Sequence, residues 1–162
     1  MQPFLILQMT ILLALANGAP LVVAKLLGTR CAYPLDGGLI FLDGNRLLGA
    51  SKTVRGATAA LLASTIGAMA IGLSAGVGAL VGASAMAGDA LASFVKRRLA
   101  LPPSSRATGL DQIPESLLPL LACRLMLPLT LLDIAAVSAI FCIGDIVLSR
   151  VLYRAHLRDR PY

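Results

Sequence analysis

The sequence predicts an all-α integral membrane protein with five transmembrane helices, N-terminus outside and C-terminus inside, and two cytoplasmic polar loops. Three observations carry that reading. Apolar residues make up 57% of the 162-residue chain and mean hydropathy is +0.84, well above a soluble domain. Uncharged segments recur at about the 20-residue length a bilayer requires. The cations gather between those segments, on alternate connections. A chain of this length suits one domain, so residues 1–162 are read as a single membrane-embedded unit.

Phe4 to Val23 carries no charge and is long enough to cross a bilayer. Its Ala14-Leu15-Ala16 also fits a signal-peptide cleavage site. No Lys or Arg precedes the run, whereas Lys25 and Arg30 follow it, which favours a retained helix with its N-terminus outside. Residues 56–88 are uncharged; as one helix they would extend roughly 50 Å, far beyond a ~30 Å hydrocarbon core. Two helices with a tight turn near Gly72–Gly78 are therefore expected. Gly72-x-x-x-Gly76 and Gly78-x-x-x-Gly82 would let backbones approach closely. Leu117–Leu132 and Ile134–Leu152 give a fourth and a fifth span, separated near Asp133, with Pro119 and Pro128 kinking or shifting the fourth. The expected helices cover 3–24, 56–73, 77–95, 115–132 and 134–152.

This arrangement places Lys25, Arg30, Arg46, Lys52, Arg55, Lys96, Arg97, Arg98, Arg106, Arg150, Arg154, Arg158 and Arg160 on one face. Arg124, within the fourth span, is the exception among the 14 cations. The asymmetry points to a multi-pass protein of the cell (inner or plasma) membrane with its loops in the cytoplasm. A net charge of +6 suits nucleic acid, anionic lipid or phosphate substrates. Nucleic acid is disfavoured, because the cations flank apolar spans and aromatics for stacking are few. Cys31, Cys123 and Cys142 are odd in number and widely spaced, which argues against a disulfide framework or a zinc site.

The chemistry concentrates in two loops. The first contains Asp43-Gly-Asn-Arg46-Leu-Leu-Gly-Ala-Ser-Lys52-Thr-Val-Arg55-Gly56. Cations suit phosphates, acids suit Mg²⁺, and glycines allow backbone near a ligand. Ser51-Lys52-Thr53 with Arg55 sits at a helix N-terminus, which itself attracts anions, although any single cation also fits an ordinary positive-inside flank. The spacing is not that of a Walker A loop. The second region is Gly88-Asp89, Ser93-Phe-Val-Lys96-Arg97-Arg98 and Gly109-Leu-Asp111-Gln112. Asp89 near a membrane face either pairs with Lys96, Arg97 or Arg98 or, with Asp111, holds Mg²⁺ over a polyphosphate. Arg124 and Asp145 either pair across the last two helices or line a lipid headgroup cavity. His156 and the basic tail read as solvated, with the tail anchoring to anionic lipid.

At these residues the chain resembles the CDP-archaeol synthase family, CTP-dependent cytidylyltransferases related to CDP-diacylglycerol synthases. The likeness runs through Ala16-Asn17-Gly-Ala-Pro20, Pro34-Leu-Asp36, Phe41-Leu-Asp43-Gly44, Arg46-Leu-Leu-Gly49, Lys52-Thr-Val-Arg55-Gly56, Gly88-Asp89, Ser93-Phe-Val-Lys96-Arg97-Arg98 and Leu110-Asp111-Gln112. The resemblance implies five spans and transfer of a cytidylyl group from CTP to a lipid phosphate, such as 2,3-di-O-geranylgeranylglyceryl phosphate, releasing pyrophosphate. It implies Asp89 and Asp111 as Mg²⁺ ligands, and Lys52, Arg55, Lys96 and Arg97 as neutralisers of phosphate charge. Asp36, Asp43, Arg46 and Thr53 would belong to the nucleotide loop, and Asn17 would face the same cavity. Two positions depart from the family pattern. Val54 replaces an aromatic, and Pro114 stands where a second Asp follows the first by three residues. Glu115 is then the acid available to complete the metal set. A non-catalytic binder of nucleotide or lipid phosphate is the competing reading, for which Pro114 speaks. A small transporter is a third, and inverted repeats that would support it are not seen.

Overall fold

The computed structural model describes residues 1–101 and 109–154, with side chains up to Ser149. It contains α1 (Pro3–Leu27), α2 (Val54–Ala70), α3 (Ala75–Arg98), α4 (Gln112–Cys123) and α5 (Leu131–Arg154). Among the described residues there is no named strand, only the isolated bridges Pro34 to Thr53 and Ile40 to Arg46. The expected stretch around Arg106 and the tail with His156, Arg158 and Arg160 lie outside the described residues.

Local chemistry sets the helix starts. Pro3 opens α1, where its missing N–H is no loss. The Thr53 hydroxyl accepts from the Gly56 amide to cap α2, and Ser74 accepts from Val77 to cap α3. Thr130 and Asp133 cap α5 reciprocally: Asp133 N–H donates to Thr130 Oγ1 at 3.2 Å, and the Thr130 amide donates to the Asp133 carboxylate at 3.0 Å. Asp133, expected between two helices, is thus the third residue inside the last one. It also accepts from the Gln2 amide, while Gln2 Nε2 donates to the Pro128 carbonyl. The chain's start and the α4–α5 link therefore share one end of the bundle, opposite the polar loops.

Three helices have the length and apolar character of a span: Pro3–Leu27, Ala75–Arg98 and Leu131–Ser149. Helix α2 is apolar but has 17 residues, about 26 Å, and α4 has 12, about 18 Å. The expected fourth helix over 115–132 is corrected accordingly. It begins earlier, at Gln112, and stops at Cys123, leaving 124–130 as a non-helical link. Pro128 cannot continue a helix and biases Leu127 away from helical backbone. Helix α3 runs on to Arg98, with Lys96, Arg97 and Arg98 at the negative end of its dipole.

The core joins Met9, Leu12 and Leu13 of α1 to Val81 and Ala85 of α3, Leu120 of α4 and Val137 of α5. The second glycine pair does what its spacing suggests. A Cβ on Gly78 would lie 2.4 Å from the Ser64 carbonyl oxygen, and one on Gly82 would lie 2.8 Å from Leu61 Cα. Helices α2 and α3 thus meet backbone to backbone. The first pair does not: Gly72 is in the turn at φ +79°, and Gly76 faces only side-chain tips. A third close approach, Gly88 against the Pro114 carbonyl, seats the start of α4 on α3.

Candidate active site

The α1–α2 connection, residues 28–53, folds back on itself. The Leu35 amide donates to the Lys52 carbonyl at 2.7 Å and Leu47 to Leu39 at 2.9 Å. Asp36 organises the fold from within. Its side chain is fully buried and accepts from the amides of Gly38, Leu48 and Gly49 at 3.0–3.2 Å, with Arg46 3.5 Å away. Burial alone would raise its pKa; the three amides and the Arg46 charge outweigh it, and the carboxyl titrates below its usual range. Asp43 accepts from the Asn45 amide at 3.1 Å and pairs with Arg98 at 2.9 Å.

Two arginines fasten this loop. Arg98 lies over Phe41 at 4.4 Å and Phe94 at 5.0 Å and donates to the Arg46 carbonyl at 3.0 Å. Arg55 donates to the carbonyls of Gly28 and Arg30, just past the end of α1. Asp36, Asp43, Thr53 and Arg55 are therefore engaged inside the loop and its anchorage. Arg46 and Arg97 instead line a cleft of about 420 Å³ between the loop and the end of α3.

Beside this cleft, three elements bring five charged side chains together. Lys52 from the loop pairs with Asp89 of α3. Lys96 of α3 pairs with Asp111, just before α4, at 2.6 Å. Glu115 of α4 lies close enough to Asp89, Lys52 and Asp111 to feel the charge of each. Asp89 and Lys96 are seven residues apart and Asp111 and Glu115 four, so each pair shares a helix face. An Asp89 pair within its own helix does not form, because Lys96 is two turns away and turns to Asp111.

Buried Gln112 brackets the start of α4. Its oxygen accepts from the Gly109 amide at 2.8 Å and its nitrogen donates to Asp145 of α5 at 2.8 Å. Asp145 accordingly sits at the site end, whereas Arg124 is exposed beyond the other end of α4, about 18 Å along the helix. The two do not pair. Asn17 donates to the Leu13 carbonyl of its own helix. The Gln112 bracket and the Arg98 latch were invisible as contacts in sequence, although the Asp111-Gln112 and Phe94–Arg98 motifs mark their positions.

Among the described residues no three His, Cys, Asp or Glu side chains form a ready metal cage. The donor set nevertheless fits a hard divalent cation. Asp89 and Glu115 lie side by side, and two carboxyl groups so close either share a proton or ionise together only beside a cation; Lys52 already pairs with Asp89. Mg²⁺ is held by one or two carboxylates together with substrate phosphates, so a full protein cage is unnecessary.

A CarS-like family model, CDP-archaeol synthase, matches residues 69–162. The CDP-archaeol synthase of Pyrobaculum calidifontis is 32% identical over 152 residues, covering 91% of this chain and 90% of that protein. The chain belongs to the CDP-archaeol synthase family, whose members are CTP-dependent cytidylyltransferases. Another family member, from Hyperthermus butylicus, is 45% identical over 106 residues, 60% of this chain and 59% of that protein. A solved intramembrane enzyme for archaeal membrane lipid biosynthesis matches the fold with TM-score 0.69 and 30% identity, over 85% of this chain and 90% of that one.

Proposed function

We propose that this protein transfers a cytidylyl group from CTP to a membrane lipid phosphate. The preferred acceptor is 2,3-di-O-geranylgeranylglyceryl phosphate or a similar isoprenoid-ether lipid. A phosphate oxygen of the lipid attacks the α-phosphorus of CTP, the bond to the β-phosphate breaks, and CDP-lipid and pyrophosphate result. The observation that carries the reading is the convergence of Lys52–Asp89, Lys96–Asp111 and Glu115 beside a cleft lined by Arg46 and Arg97.

Positioning and charge neutralisation do the work; no covalent nucleophile is required. Arg46 and Arg97 orient the triphosphate. Lys52 and Lys96 exchange their carboxylates for phosphate oxygens as substrate arrives, which frees Asp89 and Asp111. Those two acids and Glu115 are the residues that would hold Mg²⁺. When bound, the ion supplies charge neutralisation for the polyphosphate. The whole chain works as one membrane-embedded unit, with five crossings, the fourth made by α4 together with the non-helical 124–130 link, N-terminus outside and both polar loops in the cytoplasm. The gathering of cations on one face supports that orientation.

Purified protein with CTP and Mg²⁺ should be offered a panel of isoprenoid-ether and acyl lipid phosphates. Lipid-dependent formation of both CDP-lipid and pyrophosphate is expected, and Asp89→Asn should abolish it with the fold intact. Turnover by Asp89→Asn would remove Asp89 from the metal role. CTP binding without product from any lipid would instead support a non-catalytic binder. Pro114 is the feature favouring that second reading, and the closeness of Glu115, one residue on, to Asp89 speaks against it.

A further inference from the structure

We infer that the tip of the α1–α2 loop inserts into the interfacial layer of the leaflet that faces the site and holds the lipid substrate's headgroup at the cleft. The second half rests on the cytidylyltransferase reading; the first does not.

The loop has two unlike sides. Asp36, Arg46 and Asn45 are turned to its own interior or to the cleft. On the outside, Leu39 is 63% exposed, Ile40 69% and Leu42 97%, three large apolar residues within four positions. Single exposed leucines are ordinary, whereas a contiguous apolar patch marks an interaction surface. The patch is not slack chain that could fold away. The Phe41 amide donates to the Asn45 carbonyl at 2.8 Å, and Arg98 binds Asp43 and stacks on Phe41.

Its place in the fold selects the partner. The loop leaves the end of α1, a helix of spanning length, and returns into apolar α2. Leu26 at that end of α1 is 77% exposed and Val54 opens α2 half-exposed, so exposed apolar side chains stand at both junctions of the loop with its helices. Exposed Arg30 adds a positive charge suited to anionic headgroups. An apolar edge flanked by cations, joined to spanning helices, fits the boundary between headgroups and acyl chains. A lipid phosphate beside that edge would stand close to the Lys52 and Arg46 side of the loop without leaving its leaflet.

The chain has no tryptophan, so Leu42→Trp creates a single tryptophan, excited beyond the absorption of the three tyrosines, at a position that is almost fully exposed. The variant would be reconstituted in vesicles of anionic lipid, with and without acyl-chain bromine. Insertion predicts emission shifted to shorter wavelength, quenching by the brominated lipid and protection from aqueous iodide. Long-wavelength emission quenched by iodide and not by bromine would overturn the proposal. Short-wavelength emission that ignores bromine and grows with protein-to-lipid ratio would also overturn it, by showing that a second copy covers the patch. For the functional half, Leu42→Asp should raise KM for the lipid phosphate roughly tenfold, the lower end for one buried leucine, and leave KM for CTP unchanged. An unchanged lipid KM would remove the loop's tip from lipid handling while the fluorescence result stood.

Discussion

Replacing Gly88 with alanine probes how closely the site depends on the seating of α4 against α3. A Cβ there would lie 2.3 Å from the Pro114 carbonyl oxygen, 2.6 Å from its carbon and 2.9 Å from the Glu115 nitrogen. All three are backbone atoms, so no side-chain rotation relieves the clash. Ordinary contact begins at 3.4 Å, and the first turn of α4 must therefore retreat by about 1 Å. Overpacking of this kind costs about 1–3 kcal/mol, and alanine returns about 1 kcal/mol of helix propensity. The net loss of stability is then at most about 2 kcal/mol. Activity should suffer more. Asp89 follows Gly88 and Glu115 follows Pro114, so the same displacement separates the two carboxyl groups. A 1 Å error in a reacting assembly can cost about 10²-fold. The assay is CDP-lipid formation at saturating CTP, paired with thermal unfolding in detergent. Gly144→Ala in α5, whose Cβ would meet nothing within 4 Å, is the control. Gly88→Ala should lose about two orders of magnitude in turnover with a modest fall in Tm, and the control should match wild type. A Gly88→Ala protein working at the wild-type rate would refute the link between this helix contact and the chemistry.

Three further outcomes can be checked. Asp145→Asn keeps an acceptor for Gln112 and should retain most activity. Asp145→Leu leaves the buried Gln112 nitrogen without it, costs about 1–3 kcal/mol, and should be non-additive with Gln112→Leu in both stability and turnover. Asp36 has a depressed folded pKa, so its contribution is complete above the ordinary aspartate value and is lost as pH falls through the folded one. Proteolysis of the α1–α2 loop should accordingly accelerate in acid, and Asp36→Asn should lose that pH dependence; an unchanged acid response in the variant would assign it to another group. Exposed Cys31 should react with a membrane-impermeant maleimide in inside-out vesicles and be protected in right-side-out ones, and the reverse pattern would overturn the orientation.

Hydropathy made the helices legible, and small-residue spacing the capacity of α3 for close packing, because both are local patterns; that α2 is the partner was not legible. The acidic and basic residues of the five-charge cluster were legible for a different reason: charges beside apolar spans have few structural explanations. Which acid meets which cation was not. Lys52 and Asp89 are 37 residues apart, and their pairing is set by how α2 docks on α3. Arg55 and Arg98 show the opposite limit. In sequence Arg55 reads as a phosphate-binding cation and Arg98 as a possible partner of Asp89, and only the folded loop turns them to carbonyls, Asp43 and Phe41. The short α4 escaped notice because its apolar composition continues past Cys123, while Pro128 and the Thr130 cap divide that stretch.

The shortness of α2 bears on the membrane itself. At about 26 Å it falls roughly 4 Å below an average hydrocarbon thickness. Backbone contact at Gly78 and Gly82 binds it to the longer α3, so it cannot slide independently to meet either surface. Were α2 to cross the bilayer, a mismatch of this size would be relieved by snorkelling of flanking residues or by local thinning, at a fraction of a kcal/mol per Å. A dimple in the leaflet around α2 would lower the phosphate plane toward Lys52, making the bilayer's own deformation part of how substrate reaches the protein.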